Sequence, residues 1–297
     1  MNQKNIEQRS LVIGCIWLFA MGVAALTAYF STRLEALFVD AYFTLITLTT
    51  GLLSIIISKI STQVSKRFPN GLFVLEPLYA FFQSLMTVSS KAYQYFVYGH
   101  GQLLNIAPVI PYEIVMVILS LTLSWFYQLQ NKKIHNISTL LSAETKGAMI
   151  DGVMSAGIGV AAFFILFIDK KSPLSFLLYT GDSFITVIIV LFIIRIPLRI
   201  MKNALIEISG GLTQDQGIKS FIERAIQSHL TTDFSIDDCK IYKVGMSFKA
   251  CISISSRTDM VDTKKLTTYK KNILNDLSRK ISFINIIFIY SNIGEKS

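Results

Sequence analysis

Six stretches of roughly 20 mostly apolar residues, set apart by short basic connections, constrain this chain more than any other feature. They cover 11–31, 34–58, 76–97, 112–130, 143–168 and 181–200. Each is long enough to cross a ~30 Å hydrocarbon layer as a helix. Charge is scarce to match: 16% of the residues are charged, against about 25% in an average soluble domain. The scarcity is uneven. Residues 1–205 hold 15 of the 28 Lys/Arg and 9 of the 19 Asp/Glu, and the remainder crowd into 206–297. The front two thirds therefore reads as membrane protein and the last third as a water-soluble domain. A soluble enzyme, a disordered chain, a collagen and a disulfide-rich secreted protein are all excluded by this pattern.

The net charge of +9 does not point to nucleic acid, because the basic residues lie mainly between the apolar spans. Lys4, Arg9, Lys59, Lys66, Arg67, Lys132, Lys133, Arg199 and Lys202 fall on one side. Arg33, Lys170 and Lys171 fall on the other, offset by Glu35 and Asp169. The positive-inside bias then puts both termini in the cytoplasm. The three cysteines, Cys15, Cys239 and Cys251, are isolated and read as small packing residues rather than a disulfide framework or a metal knuckle. No small-residue cleavage site marks the first span as a signal peptide.

Gly210 and Gly211 break the helical pattern after the sixth span, which predicts a boundary between a transmembrane domain over 1–209 and a cytoplasmic domain over 210–297. The second part reads as helix (215–230), strand (238–244), strand (247–255), helix (262–280) and strand (283–290), with Gly245 in a hairpin turn and Asp262 as an N-cap. The expected fold is a six-helix all-α transmembrane domain followed by a small α+β domain. Nothing in it resembles a catalytic triad or a phosphate loop, so no enzyme activity and no cofactor is expected. Lys264, Lys265, Lys270 and Lys271 read as a solvated helix face.

Charge at bilayer depth needs a reason, since it costs at least ~2.5 kcal/mol per residue. Asp40, Lys91, Asp151 and Arg195 are the cases. Arg195 is close enough to a span end to snorkel, and Lys91 reads as a partner for Asp182 or Glu35 or as a second snorkelling side chain. Asp40 and Asp151 can converge. At 1.5 Å per residue, Asp40 lies about 9 Å inside one end of span two, and Asp151 about 12 Å inside the opposite end of span five. Asp40/Thr44 and Asp151/Ser155 each share a helix face through i,i+4 spacing. If those faces meet, two carboxylates and two hydroxyls make an oxygen-rich pocket suited to a divalent cation, and the carboxylates can take protons when it leaves. Helix–helix polar pairing is the other reading of the same spacing.

Val39-Asp-Ala-Tyr-Phe-Thr-Leu-Ile-Thr-Leu, Arg67-Phe-Pro-Asn-Gly-Leu-Phe-Val-Leu-Glu-Pro-Leu, Ala143-Glu-Thr-Lys-Gly-Ala-Met-Ile-Asp-Gly-Val-Met-Ser and Gly181-Asp-Ser-Phe-Ile together resemble the cation diffusion facilitator (cation efflux) family. The resemblance covers nearly the whole chain, including a tail with the ferredoxin-like element order. It implies a homodimeric exporter in the membrane that exchanges a divalent cation for protons by alternating access. Its site residues map onto Asp40 and Asp151. Thr44 stands where a second carboxylate is usual, and Gly147 where a histidine is usual. This reduced set looks like a bacterial branch of the family, which implies the inner membrane as location. The expected cargo is a divalent cation of the manganese, iron, cobalt or zinc class. Without imidazole, zinc is less expected than a harder ion, since carboxylate and hydroxyl oxygens suit manganese, magnesium or calcium, with ferrous iron intermediate. The missing ligands also leave open a transport-inactive member that serves as a partner or assembly subunit. Glu76 reads as a pairing group for Arg67 or Lys66, and a regulatory metal site among His229, Asp233, Asp237, Asp238 and Cys239 is less expected than surface carboxylates.

Overall fold

The computed structural model describes residues 3–32, 35–64, 68, 71–98, 109–166, 194–213, 215–229, 234–256 and 263–290. Five long helices come first: α1 (Gln3–Thr32), α2 (Glu35–Ile60), α3 (Leu75–Tyr98), α4 (Val109–Lys133) and α5 (Thr139–Leu166). Then follow α6 (Arg195–Ile208), α7 (Gln216–His229), β1 (Phe234–Val244), β2 (Ser247–Ser256), α8 (Thr263–Ser278) and β3 (Ile284–Tyr290). Among the described residues, α1, α2 and α4 contain segments long and apolar enough to cross a membrane. The first five apolar stretches of the sequence fall on α1 to α5, while most of the sixth lies outside the described residues.

The helical part is built inside out relative to a soluble protein. Ile16, Phe19, Ile118, Trp125 and Phe163 are exposed, whereas Glu7, Ser10, Ser54, Ser58 and Glu144 are buried. That distribution suits a lipid surround, where the exterior need not be polar and every interior polar group needs a partner. α1 lies along α2, α4 along α5, and α3 against α6. Local chemistry sets the ends. Pro77 falls in the first turn of α3, where a missing N–H costs nothing. His135 and Asn136 take left-handed backbone angles to close α4, and the Ser138 hydroxyl accepts from Leu141 N at 3.0 Å to cap α5.

The tail is a three-stranded sheet in the order β1-β2-β3, with β1 antiparallel and β3 parallel to β2. Helices and strands begin and end within a few residues of the sequence-based ranges; Asp262 is outside the described residues. Asp215 caps α7, its carboxylate accepting from the Gly217 and Ile218 amides. Ile218, Ile222 and Ile226 recur at i,i+4 on α7 and bury against Ile273 and Leu277 of α8 and against Ile241, Phe248, Ile252 and Ile286 of the sheet. Each fully buried side chain of this kind contributes about 1.5–3 kcal/mol.

The hairpin turn between β1 and β2 docks on the helical part. Lys243 Nζ reaches Glu207 Oε1 (3.0 Å) and the Thr139 hydroxyl (2.9 Å), and Gly245 N donates to Glu207 Oε2 (3.0 Å). Beside it, Lys4 Nζ sits between Glu7 Oε1 (2.5 Å) and Glu76 Oε1 (2.7 Å), all three residues buried. Glu76 pairs with Lys4 at the start of α1; the expected partners, Lys66 and Arg67, lie outside the described residues. The N-terminal turn of α1 runs alongside the start of α3, a neighbourhood set by packing rather than by sequence distance.

Candidate cation site

Asp40, Thr44, Asp151 and Ser155 all line one small cavity of about 30 Å³. This is room for roughly one ion or one water. α1 contributes Leu18 and Met21, α2 Phe43 and Thr47, α4 Met116 and Ser120, and α5 Met154 and Ile158. The i,i+4 pairs on α2 and α5 therefore face each other across the bundle, as their spacing allows. The wall is otherwise apolar or hydroxylic, so the two carboxylates are the strongest donors to whatever enters.

Second contacts orient these groups. Tyr112 on α4 donates its hydroxyl to Asp40 Oδ2. Thr44 spends its hydrogen on the Asp40 carbonyl at 3.0 Å, which leaves the lone pairs of its oxygen as acceptors. The carboxylate and hydroxyl oxygens are the hard donors available to a cation here, with the thioethers of Met21, Met116 and Met154 in the same wall, and no cluster of three or more His, Cys, Asp or Glu occurs among the described residues. Gly147, one turn from Asp151, does not line the cavity; a Cβ there would meet only Gln83 Nε2, at 3.6 Å. Its lack of a side chain removes a donor from that turn, and the Gln83 amide is the nearest polar group.

The other charged residues separate from this site. Arg195 is exposed at the first residue of α6, in keeping with a snorkelling side chain. The Lys91 side chain and Asp182 lie outside the described residues. In the tail, His229 pairs with Asp276 on α8, Asp238 with Lys240, and Asp237 accepts from Ser255. His229, Asp237 and Asp238 thus have separate partners, and Asp233 lies outside the described residues. The Asp276 carboxyl is held below its usual range by the His229 hydrogen bond, and burial pushes the Cys239 thiol up to about 11. Sequence reasoning passed over three buried carboxylates, Glu7, Glu113 and Glu144, because each lies within about a turn of a helix or span end. For Glu144 a signal was present: it stands two turns before Asp151, on the same helical face.

Helices with apolar exteriors, closing on a pocket of paired carboxylates and hydroxyls, define a membrane protein of the transport class. Residues 11–209 match the cation efflux transmembrane domain, and the chain belongs to the cation efflux family. No curated protein matches the chain. Members of this family are transporters rather than enzymes, so the general activity is movement of a metal cation across a membrane.

Proposed function

We propose that the chain is a secondary transporter that exports a divalent metal cation in exchange for protons by alternating access, with Asp40, Thr44 and Asp151 as ligands. The cavity carries this reading: residues 111 positions apart in sequence bring two carboxylates and two hydroxyls to one ion-sized space. Carboxylate and hydroxyl ligands without imidazole or thiolate favour manganese or ferrous iron over zinc. Empty, two carboxylates at one site repel each other and are relieved by taking up a proton, so cation and proton compete for the same oxygens.

The same reading includes six spans over 1–209, a ferredoxin-like domain over 210–297, both termini in the cytoplasm, a homodimer, and the bacterial inner membrane as location. The basic connections and the αββαβ order of the tail support it. Its test is a panel of manganese, iron, cobalt, zinc and cadmium ions offered to proteoliposomes containing the purified chain, with a proton gradient imposed. Cation movement against that gradient, abolished by Asp40→Asn and by Asp151→Asn, is expected. Transport that survives both substitutions would overturn the site, and no transport of any ion would favour the partner-subunit reading instead.

A further inference from the structure

Glu144 is buried (3% exposed) in the second turn of α5, and it makes no ion pair among the described residues. Tyr79 Oη lies 2.6 Å from Glu144 Oε1 and 3.0 Å from the Thr50 carbonyl oxygen. A phenol has one hydrogen, and a peptide carbonyl only accepts. Two full two-centre hydrogen bonds form together only when Tyr79 donates to Thr50 and the Glu144 carboxyl itself carries a proton, donated to Tyr79 Oη; one hydrogen split between the two acceptors would weaken both bonds. With an ionised Glu144, Tyr79 would turn its hydrogen to the carboxylate and leave two oxygen lone pairs facing each other at 3.0 Å.

The surroundings are built around this group. Ser54 of α2 and Gln83 of α3 hydrogen-bond with the Glu144 carboxyl alongside Tyr79, and Cys15 of α1 and Tyr127 of α4 face it. Asp151 is the acidic group it meets along α5, Lys146 lying about 200° round the helix from it. The Tyr127 hydroxyl is buried and has no hydrogen-bond partner among the described residues. It fits only because residue 14 is glycine: a Cβ there would stand 1.7 Å from it. Glu144 therefore has a second phenol beside it. Seven residues separate it from Asp151, about 10.5 Å along one helical face. Glu144 is the one nearer the docked hairpin, since Lys243 meets Thr139 at the start of α5.

We propose that Glu144 is a proton-binding site distinct from the cation cavity, holding a proton while the cavity is empty and releasing it when a divalent cation settles between Asp40 and Asp151. The second half rests on the transport reading above. In the step, the Glu144 O–H bond breaks and the proton leaves for water. The carboxylate that remains is drawn by the dication two turns away, and it takes a proton back from water when the cation departs.

Infrared spectroscopy of the purified full chain at neutral pH tests this, because a buried protonated carboxylic acid has its own carbonyl band, shifted by D₂O. The band should be present in the wild type, absent from Glu144→Gln, and moved but retained in Tyr79→Phe. Adding Mn²⁺ should remove it from the wild type. A pH-sensitive dye should then record about one proton more released per chain than from Glu144→Gln. A wild type without the band, or a band unchanged in Glu144→Gln, overturns the proton site. A Glu144-dependent band that Mn²⁺ leaves untouched although calorimetry shows Mn²⁺ bound, with heat lost in Asp151→Asn, overturns the coupling alone. No Mn²⁺ heat in the wild type, with the Glu144-dependent band intact, upholds the proton site and overturns Mn²⁺ occupancy of the cavity.

Discussion

Gly245 and Gly210 have the same left-handed backbone but opposite surroundings, and alanine at each separates the cost of the backbone from the cost of docking. Their φ values are +59° and +72°. An alanine in this conformation loses roughly 1–2 kcal/mol to contact between its Cβ and the following carbonyl. Gly210 has nothing within 4 Å of an added Cβ, so Gly210→Ala should cost only that amount. At Gly245 the Cβ would stand 2.6 Å from Glu76 Oε2 and 2.7 Å from the Phe73 carbonyl oxygen. The latter is backbone and cannot swing aside, so overpacking adds about 1–3 kcal/mol. The sum for Gly245→Ala is about 2–5 kcal/mol, unless the hairpin backs away. Backing away would stretch the Gly245 N–Glu207 bond and uncover the Lys4–Glu76 pair. Thermal unfolding of the two variants in detergent, together with protease sensitivity of the connection after α6, measures both outcomes. Gly245→Ala should melt well below Gly210→Ala or expose that connection. Equal melting points with equal protection would refute the docking of the hairpin on α1 and α3.

Two further outcomes follow from charge. Lys4→Met leaves Glu7 and Glu76 buried without their ammonium, which should cost about 3–5 kcal/mol, and adding Glu76→Gln should recover part of it in the same melting assay. In the tail, the His229 hydrogen bond holds the Asp276 carboxyl below its ordinary 3.8, so the folded state binds that proton less readily than the unfolded one. The stabilisation is therefore complete above about pH 4 and fades as pH falls through the lower folded value. The melting gap between wild type and Asp276→Asn should narrow on acidification, and a gap that widens would contradict the pairing.

The helical class was legible because lipid imposes a length and a composition on any chain that crosses it, and both can be counted along the sequence. The tail was legible because each of its elements carries its own periodicity, as in Ile218, Ile222 and Ile226. The two halves of the cavity wall were legible as well: Asp40 with Thr44, and Asp151 with Ser155, share faces by local helix geometry. Glu76 shows the limit. Its partner is 72 residues away at Lys4, on a helix whose first turn had no reason in sequence to run beside α3. His229 is similar: it passes over the nearby aspartates for Asp276 on another helix.

By itself the sequence determined which segments are helical and apolar, which carboxylates sit deep within them, and which side chains share a helical face. Only the tertiary structure decided that the faces of α2 and α5 close on one cavity. It also decided that one phenolic oxygen, Tyr79 Oη, stands between the Glu144 carboxyl and the Thr50 carbonyl, and that the tail hairpin rests on a buried ion cluster. The physical reason is range: periodicity acts over a few residues, whereas hydrogen-bond partners in a helical bundle are chosen by how distant helices pack.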